Sequence, residues 1–288
     1  MTSTEQAAYF AALQWHLDQG IDEVLADEPG QQMTRLPDNR MTGPTEAPPA
    51  PALPSDHPII PSSDHPIQGT PALREEAIKC ARAAGSLEEL QAALAGFEGL
   101  AVRRTATNMV FCDGNPQAPV MLIGEAPGAD EDRLGRPFVG VSGQLLDKIL
   151  KCIDIDRAAT DPEKAIYISN ILNWRPPGNR TPTPQEVEIS LPFIERHIAL
   201  AKPKLLILCG GVPAKALLHT EDSISRLRGR WHDFRPRTPG IEMEPIPALC
   251  TYHPSYLLRT PSQKKAVWGD MLNLMQKRQE LGIAAKAA

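Results

Sequence analysis

Three strings in the chain combine residue types that do chemistry with neighbours that hold them still. His253 is followed by Pro254 at the end of the apolar run Ile246–Thr251. A histidine aimed in this way can donate a hydrogen bond to a leaving group that gathers negative charge. Asn170 closes the string Ile168-Ser169-Asn170, and its carboxamide offers both a donor and an acceptor, which reading the edge of a nucleobase requires. Glu125 lies within Gly124-Glu125-Ala126-Pro127-Gly128, where the glycines let backbone approach a ligand closely. A helix starting near Ser142 would present amide groups to an anion such as phosphate.

Each string also has a plainer reading. A Gly- and Pro-rich segment after a strand is commonly only a turn, and an Asn there can cap it. Arg175 and Arg180 flank the stiff loop Pro176-Pro177-Gly178-Asn179; their guanidinium groups suit phosphate oxygens but also suit water. A lone His is usually structural. Beside His253, however, stand Leu257 and Leu258, apolar side chains in a polar loop, which fit a wedge filling the gap left by an extruded base.

The elements that must position these residues are legible from periodicity. Four short apolar runs, Val120–Ile123, Ile166–Leu172, Leu205–Leu208 and Ile246–Thr251, alternate with helical patterns over Ser142–Ile153, Gln185–Ala201 and Pro213–Leu218. A further helical stretch runs from Leu73 to about Leu94. Strand, loop, helix in repetition predicts an α/β fold: a three-layer α/β/α sandwich around a central, mainly parallel four-stranded sheet. Ligands in such sheets bind at the carboxyl ends of the strands, where the unusual residues of this chain fall.

The front of the chain has a different character. Residues 1–28 predict an amphipathic helix, with Tyr9, Leu13, Trp15, Leu17, Ile21, Val24 and Leu25 at near-helical spacing. Such a helix either docks a protein partner or packs on the main domain. Eleven prolines between Pro29 and Pro71 predict a linker over residues 29–72, leaving 73–288 as the chemical domain. The net charge of -5 is uneven. Residues 1–72 hold two basic side chains against ten acidic, whereas 73–288 hold 28 basic against 25 acidic, so the later part does not exclude nucleic acid. No apolar stretch reaches the roughly 18–20 residues needed to span a membrane, and a cytoplasmic monomer is expected. Cys80, Cys112, Cys152, Cys209 and Cys250 are scattered, which argues against a disulfide framework.

Six strings in fixed order carry a resemblance: "GEAPG", "EDRLGRPFVGVSGQLLDKIL", "YISN", "RPPGNRTPTPQE", "ISRLRGRW" and "HPSYLLR". Together they resemble the family-four uracil-DNA glycosylases over about 170 residues. The resemblance implies base excision repair on DNA containing uracil, with base flipping and release of uracil. It also implies roles. Glu125, helped by the backbone of Gly124, would position the attacking water; Phe138 would stack on uracil; Asn170 would read its edge; His253 would stabilise the uracil anion. Ser255 joins the substrate-binding set. Leu257 would be the wedge, with Arg259, Arg175, Arg180 and Ser142 on DNA.

One part of the pattern is missing. Family-four members of the thermophile type hold a four-iron, four-sulfur cluster on four cysteines. Here Trp174 stands before "RPP", Ser190 occupies the matching helix position, and Cys80 has no partner at short spacing. No cluster and no metal are therefore expected, with packing around Trp174 in the cluster's place. Two other functions stay open: a relative that binds uracil or abasic DNA but barely cleaves, and an adaptor that uses its first helix.

Overall fold

The computed structural model describes residues 70–283. The expected helix over residues 1–28 lies outside the described residues, as does the expected linker apart from its end. That end is corrected, because Thr70, Pro71 and Ala72 already belong to helix α1 (Thr70–Ala83). Proline is tolerated in a first turn, where its missing N–H would have no intrahelical partner. The helical stretch expected from Leu73 to Leu94 is two helices, α1 and α2 (Leu87–Gly96). Between them the Ser86 side chain accepts the Glu89 amide, and the Glu89 carboxylate accepts the Gly85 amide. This reciprocal capping starts a second helix where one continuous pattern reads in the sequence.

The sheet has six strands in the order β1-β3-β2-β4-β6-β5. Its parallel centre, β2 (Val120–Gly124), β3 (Tyr167–Asn170), β4 (Leu205–Cys209) and β6 (Ile246–Thr251), comprises the four strands expected. The correction concerns the edges. β1 (Asp113–Gly114) pairs antiparallel with β3, and β5 (Trp231–Phe234) pairs antiparallel with β6. Neither has an apolar run to announce it: one is two residues long, and the other is half-buried and mixed in polarity.

Both faces of the sheet are covered, which is why β2, β3 and β4 are buried at every position. Met121, Ile123, Tyr167, Leu206, Leu208 and Ala248 pack with Ile194 and Ile198 of α5 (Pro184–Ala201), with Ala214 and Leu217 of α6 (Gly211–Leu218) and with Leu227 of α7 (Ile224–Leu227). Alternate side chains, among them Leu122, Ile168 and Ile207, are equally buried and face the other way. On that side α9 (Lys264–Glu280) packs on β6 and on α4 (Val141–Lys151). A separate apolar cluster joins α1 and α2 to α5 through Ala77, Leu90, Leu94, Phe97, Ile189 and Phe193.

This topology decides where a ligand can sit. After β2 the chain moves to β3 on one side, and after β4 it moves to β5 and then β6 on the other. The connections leaving β2 and β4 diverge, so a crevice opens at their carboxyl ends.

Candidate active site

A cavity of about 360 Å³ occupies that crevice. Gly124 ends β2 directly opposite Asn170, the last residue of β3. The pairing continues past the strands, with the Ile171 amide on the Gly124 carbonyl at 2.9 Å and the Leu172 amide on the Glu125 carbonyl at 3.1 Å. Glu125 and Asn170 are therefore held on adjoining backbones. A Cβ at position 124 would lie 2.3 Å from Asn170 Oδ1 and 2.6 Å from the Phe138 ring. Only glycine lets both side chains reach the cavity across it.

His253 enters from the end of β6, where it caps the short helix α8 (Pro254–Arg259). The Ser255 amide donates to His253 Nδ1 at 3.2 Å, and Ser255 Oγ lies 2.8 Å from the same nitrogen. With Nδ1 used as an acceptor, the ring proton belongs on Nε2. Burial pushes the His253 pKa down to about 4; Arg259 adds to this and Glu131 opposes it. The imidazole is thus a neutral donor at physiological pH. The Phe138 ring packs against it, with centroids 5.3 Å apart.

Glu125 is half-buried, and that burial raises its pKa against the lowering effect of a Thr181 hydrogen bond. Glu131 lies in helix α3 (Ala129–Leu134) and is buried at the cavity wall. Its carboxylate accepts three amides: Gly128 at 3.1 Å, and Val139 and Gly140 at 2.9 Å each. Two amides at the front of α4 are therefore already satisfied within the protein.

Eight of the expected residues line this one cavity: Glu125, Phe138, Ser142, Asn170, Arg180, His253, Ser255 and Arg259. Gly124 lies beneath Asn170 and Phe138, as described. Arg175 stands back, with its Nε donating to the cavity residue Asn179 at 2.7 Å. Arg180 forms a forked pair with Glu186, at 2.8 and 2.7 Å. Leu257 requires correction: it is 0% exposed in the core, whereas Leu258 is 45% exposed. Successive residues of a helix point in different directions, and α8 turns the second leucine outward. Sequence reasoning missed Glu131 and also Arg157, whose guanidinium donates to the Pro137 and Phe138 carbonyls at 2.9 Å each. The first has a signal, since a Glu three residues after the N-cap Gly128 is half of a capping box. The second lies in none of the six strings.

The sequence model of the Uracil DNA glycosylase superfamily matches residues 111–272, more than half of the chain, and the cavity lies within that span. The chain belongs to that superfamily. Among its relatives, the Type-4 uracil-DNA glycosylase of Pyrobaculum aerophilum is 35% identical over 181 residues, covering 61% of this chain and 86% of the relative. That of Sulfurisphaera tokodaii is 31% identical over 206 residues, covering 70% and 87%. The Type-5 uracil-DNA glycosylase of Thermus thermophilus is 30% identical over 134 residues, covering 42% and 58%.

The residues of this superfamily member do not fit the iron–sulfur cluster that the family-four resemblance implies. Trp174 is buried in the apolar cluster of α1, α2 and α5, alongside Leu172, Ile189 and Phe193. Cys80 only borders that cluster, and burial, followed by the nearby Glu76, raises its pKa away from the thiolate a metal requires. The Ser190 hydroxyl is buried, has no hydrogen-bond partner among the described residues, and supplies no thiolate. Among the described residues, no group of three or more His, Cys, Asp and Glu side chains is arranged to hold a metal ion.

Proposed function

We propose that this chain is a uracil-DNA glycosylase that hydrolyses the N-glycosidic bond of deoxyuridine in DNA, releasing uracil and leaving an abasic site. One observation carries the reading: Glu125, Phe138, Asn170 and His253, far apart in the chain, meet around a single cavity at the carboxyl ends of the parallel strands. A base reaches such a cavity only after flipping out of the strand. Phe138 stacks on its face. The Asn170 carboxamide pairs with O4 and N3–H of uracil, and the amino group of cytosine would leave it mismatched. As the C1′–N1 bond breaks, its electron pair leaves with the base, and the Nε2–H of His253 donates to the developing anion. Glu125 orients a water whose oxygen bonds to C1′ of the cationic sugar, and accepts the proton that this water loses.

The exposed Leu258, rather than Leu257, takes the role of wedge in this reading, and Arg259, Arg180 and Ser142 face the strand beside it. The protein works without an iron–sulfur cluster, on the support of the packing around Trp174. A labelled single-stranded oligonucleotide with one uracil tests the assignment. Release of free uracil with multiple turnovers is expected. Tight binding without release would instead favour the catalytically weak relative, and neither binding nor release would leave the adaptor.

A further inference from the structure

The geometry points to Arg157 as a positioning residue that sets the uracil-stacking ring, an inference that rests on the role given to Phe138 above. Phe138 has φ 53°, a left-handed conformation that a side chain of this size keeps only when its surroundings impose it. Both peptide groups flanking its Cα are pinned by one guanidinium. Arg157 Nη1 donates to the Pro137 carbonyl and Nη2 to the Phe138 carbonyl, each at 2.9 Å. The amide of that second peptide, Val139 N–H, is taken by Glu131 at 2.9 Å. The backbone of Gly143 closes the remaining side, where a Cβ would come within 1.9 Å of the Phe138 carbonyl oxygen.

Arg157 is itself fixed. Its Nε donates to Asp147 at 2.8 Å and its Nη1 to Asp113 at 3.0 Å, and its side chain is 9% exposed. Asp113 is braced in turn by Arg136. Burial opposes the Asp113 charge, but the Arg136 and Arg157 guanidiniums outweigh it and hold its carboxyl below the usual range. A planar fork that reaches two carbonyls and two carboxylates at once has no lysine equivalent. Arg157 is not among the residues lining the cavity and acts by holding the strained turn, and hence the plane of the ring.

The test combines Arg157→Lys with Phe138→Ala, singly and together. It reads single-turnover uracil release, inhibition by free uracil and thermal melting. Arg157→Lys is expected to slow release roughly ten- to hundredfold, as a misplaced ring should, and to weaken inhibition by uracil. In the Phe138→Ala background the same change should add less than about twofold to either effect. If Arg157→Lys melts too early to assay, Asp147→Asn, which loosens one anchor of the guanidinium, is read in the same cycle. Multiplicative effects in the double variant, or an unchanged rate and inhibition in the single one, overturn the inference. Normal turnover by Phe138→Ala alone instead overturns the stacking role on which it rests.

Discussion

At the scale of single residues, the proposed chemistry rests on two groups whose pKa values burial moves in opposite directions. Burial keeps His253 neutral down to about 4, and it raises Glu125 above the ordinary carboxylate value. Uracil release should therefore be level through neutral pH and decline on the acid side, first as Glu125 takes up a proton and then as a proton on Nδ1 of His253 breaks the Ser255 amide bond that aims the ring. A pH profile of single-turnover rates checks this, and Glu125→Gln should remove the earlier decline. Stability follows the same histidine. Its folded pKa lies below the ordinary 6.5, so the unfolded chain binds more protons between the two values. The stabilisation is complete above about 6.5 and is lost as pH falls toward about 4. His253→Ala should cost about 2.7–4 kcal/mol of barrier, roughly a hundred- to thousandfold in rate, if it removes one preorganised donor. His253 was legible in the sequence from its place before Pro254 at a strand end. Its neutral state was not, because that depends on the amide of Ser255 and on burial by residues distant in the chain.

At the scale of elements, packing decides what spacing leaves open. "HPSYLLR" offers two adjacent leucines, and only the turn of α8 tells the buried one from the exposed one. Leu257→Ala should cost about 2–5 kcal/mol of stability as a core truncation. Leu258→Ala should leave melting unchanged and slow uracil release from duplex DNA far more than from single strands, because single strands leave no stacked gap to fill. Equal slowing on both substrates would remove Leu258 from the wedge role. The α1, α2 and α5 cluster makes a second prediction. Trp174→Ala should cost about 3–5 kcal/mol, lowering the melting temperature by roughly 6–20 °C for a domain of this size. The same protein purified without oxygen should show no broad absorption near about 400 nm, the mark of cysteine-bound iron and sulfide. The four parallel strands were visible as apolar runs because both their faces are buried. The edge strands and the break at Gly85-Ser86 were not, because short antiparallel pairing and a capping exchange leave no hydrophobic period.

At the scale of the whole molecule, charge is divided along the chain. Residues 1–72 hold ten acidic side chains against two basic, while 73–288 carry a small basic excess. DNA binding draws on phosphate contacts and weakens as salt rises, so acidic side chains that come within about a Debye length of the bound strand, roughly 10 Å at 0.1 M salt, should oppose binding. A chain beginning at Gln68 keeps α1 whole while removing all ten of those acidic side chains. It should bind a uracil-containing strand several-fold more tightly than the full chain at low salt, with the two converging as salt rises, and its single-turnover rate should be unchanged. Fluorescence anisotropy across a salt series, paired with uracil release, measures both quantities. A truncated chain that binds equally at every salt concentration would show that the acidic segment never approaches the DNA. One that loses turnover would mean that the front of the chain supports the catalytic domain directly, as a packed element and not a tether.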